Sequence, residues 1–324
     1  MTSEEEVLSV NESLLCFKKE VNKVYLAFDI GGTFIKYGIL DDNGNIIEKS
    51  KIPTINDREI LLDSLKKIYL KSKKHKLKGI AMSVPGLVDV KKGIMHTSGA
   101  ITSLTGIHMV EELSSICDNI KVSIENDGKA AALAEVWVGA AKDVQNCCVL
   151  VFGTGIAGST ILNRKVVRGN HLIAGEASWY PIAYNSKEND VKCFMEYSTY
   201  GIVRRVEVEL NKDKDCMSGE DVFRLYEEGN EIVTEIMKDW FYTIAVQCYN
   251  LSTTIDPDII CIGGGVSANP SFINGIKNAV HEIHTLNKYG VSFGFIEPKV
   301  VNCKYNNDSN LIGAVFNFKQ IYEL

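Results

Sequence analysis

The residues Glu125-Asn126-Asp127 stand between a short β-branched run, Lys121-Val122-Ser123-Ile124, and an alanine-rich segment that continues to about Lys142. The first pattern predicts a strand and the second a helix. Asp127 therefore falls where a strand stops and a helix starts. In α/β folds that end of a strand is where ligands bind. A carboxylate there can accept the proton of a substrate hydroxyl. Aspartate is also a preferred helix N-cap, and the stretch by itself carries both readings.

Two glycine-bearing turns offer a second kind of chemistry. Asp29-Ile30-Gly31-Gly32-Thr33 interrupts two predicted strands, 24–30 and 34–40. Glycines there let the backbone turn sharply and approach a ligand. Their amides, with the Thr33 hydroxyl, can cradle a phosphate, and Asp29 beside them can hold a hydrated Mg²⁺. An ordinary tight hairpin has the same residues. Gly153-Thr154-Gly155 follows another apolar strand, 146–152, and precedes a strand that runs to Leu162. Strand, Gly/Thr turn, strand, polar turn and strand thus occur twice, and two such halves can face one ligand from both sides.

The elements that must position these residues follow from periodicity. Helical spacing marks 58–74, 107–117, 219–228, 230–255 and 270–284, and a last helix starts near Ser309. Strands are expected over 45–50, 77–84 and 258–262, the last stopped by Gly263-Gly264-Gly265. The strand at 77–84 ends in the turn Pro85-Gly86, and the loop 92–100 carries Ser98-Gly99-Ala100 as a substrate contact. Residues 193–198 open a helix, and 1–22 form a polar extension.

Composition narrows the function classes. The chain has 324 residues, 45% of them hydrophobic, enough for two domains with cores of their own. Its net charge is −6, which argues against nucleic acid as a main partner. The basic cluster Lys71-Ser72-Lys73-Lys74-His75-Lys76 reads as a solvated helix end. No apolar run approaches the roughly 18 residues that a membrane span needs. The acidic start lacks the pattern of a secretory signal, so a cytoplasmic location is expected. Nine cysteines without CxxC or CxC spacing suit reduced, mostly buried thiols and leave no cysteine zinc site.

In their order along the chain, Asp29-Ile30-Gly31-Gly32-Thr33, Val84-Pro85-Gly86, Glu125-Asn126-Asp127, Gly153-Thr154-Gly155, Gly175-Glu176 and Gly263-Gly264-Gly265 resemble the ROK family (repressors, open reading frames, sugar kinases) over about residues 24–318. The resemblance implies an α/β fold of the two-domain actin-like ATPase (ribonuclease H-like) type with an interdomain cleft. The smaller domain would cover 1–126 and the larger 127–308, with the helix at 309–324 packing back on the first. It implies that Gly31, Gly32, Thr33, Gly153, Thr154 and Gly155 hold the phosphates of MgATP, and that Gly264 and Gly265 lie beside the adenosine. Asp127 would be the catalytic base toward a sugar 6-hydroxyl, kept ionised by the helix dipole. Asn126, Glu176 and Glu196 would bind sugar hydroxyls, with Pro85, Gly86, Ser98 and Gly99 nearby. A homodimer is expected.

Two departures from the family pattern bear on the substrate. Many members carry a histidine after the Gly-Glu pair and a cysteine-rich zinc segment. Here Trp179 holds the histidine position, and of the cysteines Cys193 alone remains. Indole only donates a hydrogen bond. Trp179 is then either a packing residue or a stacking surface beside the sugar C1, and members lacking zinc with an aromatic residue there resemble β-glucoside kinases. The resemblance therefore implies a zinc-free kinase acting on a β-glucoside or glucose, with N-acetylmannosamine as the main rival acceptor. A ROK repressor would carry a winged helix before Asp29, where 28 residues stand. A non-catalytic sugar sensor would have no use for Asp127.

Overall fold

The computed structural model describes residues 23–305 and 307–324; the expected extension at 1–22 lies outside them. The first strand, β1 (Val24–Ile30), is buried along its whole length, as its unbroken apolar run requires. It pairs antiparallel with β2 (Phe34–Asp41), which pairs antiparallel with β3 (Ile46–Pro53). On its other side β1 pairs parallel with β4 (Gly79–Val84), and β4 with β7 (Val122–Asn126). The small ladder β5 (Val88–Asp89) and β6 (Ile94–Met95) lies between these two strands in sequence. The sheet order is β3-β2-β1-β4-β7. The crossovers are α1 (Arg58–Ser72) and α2 (Met109–Ile116).

The second sheet repeats the plan. Strands β8 (Cys147–Phe152), β9 (Ile156–Leu162) and β10 (Lys165–Val166) form the antiparallel part. Strands β13 (Ile259–Gly263) and β14 (Val300–Asn302) add in parallel, giving β10-β9-β8-β13-β14. Strand for strand this is the order of the first sheet. The repeated Gly/Thr turns of the sequence are the β1–β2 and β8–β9 turns of the two copies. Between β10 and β13 come the hairpin β11 (Pro181–Asn185) and β12 (Asp190–Cys193), then α4 (Thr199–Glu209), α5 (Gly219–Glu227) and α6 (Glu231–Ile255). Between β13 and β14 come α7 (Pro270–Leu286) and α8 (Lys288–Phe293).

In each copy the fifth strand leads into a helix. After β7 comes α3 (Asp127–Val138), and after β14 comes α9 (Ser309–Tyr322). The two helices pack against each other between the sheets. Ala134 on α3 joins Leu311, Val315 and Phe318 on α9 against Tyr25, Ala27 and Ala81 of the first sheet. On the other side of α3, Ala132 and Val136 join Cys147, Val149 and Cys261 of the second sheet. A helix buried on both sides favours small side chains where it touches its neighbours closely, which explains the alanine run. At the crossing a Cβ on Gly313 would lie 1.7 Å from the Ala130 carbonyl oxygen, so the backbones touch. Outer faces are covered by α1 and α2 on the first sheet and by α6 and α7 on the second.

Between residues 138 and 198 sequence and structure differ at three places. Helix α3 stops at Val138 instead of near Lys142. The Glu135 carboxylate accepts the amides of Ala140, Lys304 and Tyr305, and a Cβ at Gly139 would lie 2.2 Å from its Oε2. The chain must therefore leave the helix there. The hairpin β11–β12 has mostly exposed residues and no apolar alternation, so periodicity gives it no signature. Residues 193–198 form a 3₁₀ turn (Phe194–Tyr197) before α4 begins. The eight cysteines among the described residues are free, and six of them are buried.

Candidate active site

The first Gly/Thr turn is held by hydrogen bonds at its base. Gly31 N donates to Phe34 O (3.0 Å), Thr54 N donates to Thr33 O (3.0 Å), and Thr54 Oγ1 donates to Gly31 O (2.6 Å). Gly32 and Thr33 are left exposed. Just before the turn, the buried Asp29 accepts Ser83 Oγ at 3.2 Å and Asn310 Nδ2 at 2.9 Å, both on Oδ1. Its Oδ2 lies 3.4 Å from Lys36 Nζ. Sequence reasoning named neither Lys36 nor Asn310. Lys36 was within reach, because the hairpin register sets it opposite Asp29.

The second turn closes through Gly153 N donating to Gly155 O (2.9 Å). Ser178 Oγ accepts from Ile156 N at 2.9 Å and braces its far side. Gly264 follows β13 with φ +100°, and a Cβ there would lie 2.0 Å from Phe152 O, so glycine is required for β13 to end against β8. These elements enclose a cavity of about 410 Å³ lined by Gly153, Thr154, Tyr200, Gly219 and Gly265. The structure thus brings Gly153, Thr154 and Gly265 to one cavity. Gly31, Gly32 and Thr33 are not part of its lining.

Asp127 opens α3, but it is not the cap. Asn126 takes that role: its backbone is extended and its Oδ1 accepts from Lys129 N at 3.1 Å. Asn126 Nδ2 donates to Gly86 O and to Asp127 Oδ1, each at 3.0 Å. Gly128 N also donates to Asp127 Oδ1, at 2.8 Å. Oδ2 is the oxygen left with capacity to accept. The two readings of this aspartate are thereby separated: capping belongs to its neighbour.

Asp127 is ionised at neutral pH, as expected, but it is not the weak base that the helix dipole alone implies. Burial pushes its carboxyl up, to about 6, with the carboxylates of Asp29 and Glu176 adding to the rise. The Gly128 amide and the Lys129 ammonium work against the shift without cancelling it. Desolvation outweighs the dipole here because α3 is enclosed on both sides. Such a carboxyl is a stronger base than an ordinary aspartate and is still mostly ionised at neutral pH.

Around Asp127 stand charges that sequence reasoning missed. Lys129, 3% exposed, donates to Glu176 Oε1 at 2.7 Å. Glu125 is fully buried and pairs with Arg168. Both pairs tie the β7–α3 junction to the segment 168–176. A lysine within an otherwise apolar helix run was the visible signal for Lys129. Arg168 gave none.

The remaining expected residues fall as follows. Gly86, at φ +89°, lies where a Cβ would be 2.4 Å from Thr97 O, so the Pro85-Gly86 turn rests on the strip that carries Ser98 and Gly99. Ser98 is buried, and its hydroxyl donates to Ile101 O at 2.6 Å and meets Thr105 Oγ1 at 2.7 Å. Its side chain shapes the loop and is not offered to a ligand. Glu176 is half-buried, and Glu196 is exposed with its Oε1 accepting from Cys193 N at 3.1 Å. Trp179 is 65% exposed, which removes the packing role.

Among the described residues no three His, Cys, Asp or Glu side chains come together as a metal site. A Mg²⁺ that arrives on a nucleotide needs only one or two protein carboxylates, the rest of its shell being water and phosphate oxygen. Asp29, with its second oxygen facing only a flexible ammonium, fits that demand.

Residues 25–321 match the ROK family. The chain is 31% identical to a β-glucoside kinase of Listeria monocytogenes over 300 residues, covering 91% of this chain and 97% of that one. It is 30% identical to a β-glucoside kinase of Klebsiella pneumoniae over 308 residues, 91% and 96% of the two. A ROK family protein of Streptococcus pneumoniae, solved in complex with sucrose, superposes with a TM-score of 0.84 at 30% identity, over 93% of this chain and 99% of that one. Two sheets of one order with two helices crossing between them are the actin-like ATPase fold, and the chain belongs to the ROK family.

Proposed function

We propose that this protein is an ATP-dependent sugar kinase that transfers the γ-phosphoryl group to the 6-hydroxyl of a hexose, with a β-glucoside such as cellobiose, or glucose, as acceptor. The observation that carries the reading is Asp127: a carboxylate at the end of β7, freed from capping, with both of its hydrogen bonds on Oδ1. The acceptor O6 attacks the γ-phosphorus as its proton passes to the Asp127 carboxylate. The bond from that phosphorus to the β,γ-bridging oxygen breaks, and ADP leaves. In-line phosphoryl transfer depends mostly on positioning and charge neutralisation. Mg²⁺, when bound, neutralises charge on the β- and γ-phosphates, and Asp29 is the residue that would hold it through water.

The other residues position. Lys129 fixes Glu176, which accepts from sugar hydroxyls, and Glu196 does the same from the neighbouring turn. Asn126 holds Asp127 and the Gly86 carbonyl in one arrangement. The two Gly/Thr turns hold phosphate, and the cavity at Gly265 takes the adenosine. The division into a domain over 1–126 and one over 127–308, closing on the sugar, belongs to the same reading. So do a homodimer and a cytoplasmic location. Among the described residues no helix is long and apolar enough to cross a membrane.

The β-glucoside preference rests on Trp179. Its exposed indole is a poor partner for a free anomeric hydroxyl and a good one for the apolar face of a linked sugar. The Streptococcus pneumoniae relative holds a two-ring sugar, which supports room for one here. The test is sugar-dependent ADP release by the native enzyme and by Trp179→His. The native enzyme should use cellobiose at least as well as glucose, and Trp179→His should shift preference toward glucose. Good turnover of glucose or N-acetylmannosamine with every β-glucoside inert would refute the acceptor.

A further inference from the structure

We propose that the β11–β12 hairpin forms a second-sugar subsite, which takes the aglycone ring of a neutral disaccharide β-glucoside. The inference rests on the kinase reading and deepens it. The hairpin borders an open groove of about 720 Å³, lined among others by Tyr184, Asn185, Glu188, Asp190, Lys192 and Glu196. That volume is within the range of small-molecule sites. Glu196 connects it to the reaction, because the kinase reading assigns this carboxylate to the first ring. A second ring beyond Glu196 enters the hairpin.

The hairpin is built to stay in place. An isolated pair of strands is marginal in water, but this one is anchored at its base. Pro181 pairs with Cys193, and Phe194 N donates to Tyr180 O at 2.9 Å. Lys192 Nζ donates to Tyr197 OH at 3.3 Å and lies 5.1 Å from the centre of that ring. Tyr197 OH in turn donates to Asp239 Oδ2 at 3.2 Å. Trp179 and Tyr180 lead directly into β11, so the indole stands at the hairpin's foot.

The lining chooses the ligand class. Lys192 supplies a donor, and Glu188, Asp190 and Glu196 supply acceptors; Asn185 closes the turn, its Nδ2 donating to Glu188 Oε2 at 2.8 Å and its Oδ1 accepting from Lys187 N at 3.1 Å. A polyhydroxyl ring uses both kinds at once. An anionic aglycone would meet three carboxylates against the two ammonium groups of Lys187 and Lys192. Tyr184, 63% exposed, offers an aromatic face for the apolar side of a sugar ring.

The variant Tyr184→Ala tests the subsite, since its ring is exposed and Asn185 still closes the turn. We expect kcat/KM for cellobiose to fall about tenfold, mostly through KM, with kcat/KM for glucose within about twofold of native. Cellobiose kinetics unchanged in the variant, or a parallel loss on both sugars, would overturn the subsite while leaving the kinase reading intact. A native enzyme that phosphorylates glucose and no disaccharide would overturn both the subsite and the β-glucoside acceptor.

Discussion

Replacing Asp127 by Asn should abolish phosphoryl transfer and stabilise the fold, and the second effect should depend on pH. The substitution keeps the shape of the site, because an amide oxygen can accept the same two hydrogen bonds from Gly128 N and Asn126 Nδ2. It removes a carboxylate whose folded value, about 6, lies above its ordinary 3.8. The sign follows. A raised folded value means that the ionised form is disfavoured in the folded state, so ionisation costs stability at every pH above about 6. The cost fades as the pH falls toward 3.8, where the group is protonated folded and unfolded alike. About two units at 1.36 kcal/mol each set a ceiling of about 3 kcal/mol. Water reaching the open side of this half-buried residue reduces that to about 1–2 kcal/mol. Thermal unfolding of Asp127→Asn at pH 8 should therefore occur about 1.5–3 °C above native, with the difference gone near pH 4. Turnover should drop at least about a hundredfold, while calorimetry should find sugar and nucleotide binding largely kept. A variant no more stable at pH 8 than native, or equally stabilised at pH 4 and pH 8, would refute the buried-carboxylate argument. Retention of most of the turnover would refute Asp127 as the base.

Lys129→Met removes the ammonium that lies 2.7 Å from Glu176 and opposes the rise at Asp127. The acid limb of the kcat–pH profile should then move to higher pH by about one unit, and an unmoved limb would contradict the electrostatic role. Gly313→Ala places a methyl 1.7 Å from Ala130 O, so the α3–α9 crossing must open; a loss of about 2–3 kcal/mol is expected in denaturant unfolding, and native stability would mean that the helices separate freely. Metal analysis of the purified protein should find no stoichiometric zinc, and chelators should leave its unfolding curve in place. One zinc per chain would contradict the reading of the 176–196 segment.

The chemistry of the site was legible where it sits next to its own chain signals. Asp127 stood at a strand-to-helix junction, and the two Gly/Thr turns were visible as one device used twice. The repeated sheet order gives that visual repeat its physical basis. What could not be read was what the fold brings from afar. Asn310 reaches Asp29 across 281 residues because α9 recrosses onto the first sheet. Arg168 meets Glu125 only once the second half folds against β7. The error over the base strength of Asp127 has the same origin. A dipole can be inferred from local sequence, but burial depends on α9 and the second sheet closing over α3. The hairpin β11–β12 was invisible for the opposite reason: its residues face outward, and burial imposes no period on them.

The most direct test of the account is a coupled ADP-release assay with MgATP over glucose, N-acetylmannosamine, cellobiose and an aryl β-glucoside, with the phosphorylated carbon located by NMR. The account predicts ADP release that requires both sugar and Mg²⁺, cellobiose used at least as efficiently as glucose, and phosphate on the 6-oxygen of its non-reducing ring. No sugar-dependent ADP release from any of the four, or phosphate on another oxygen, would contradict it.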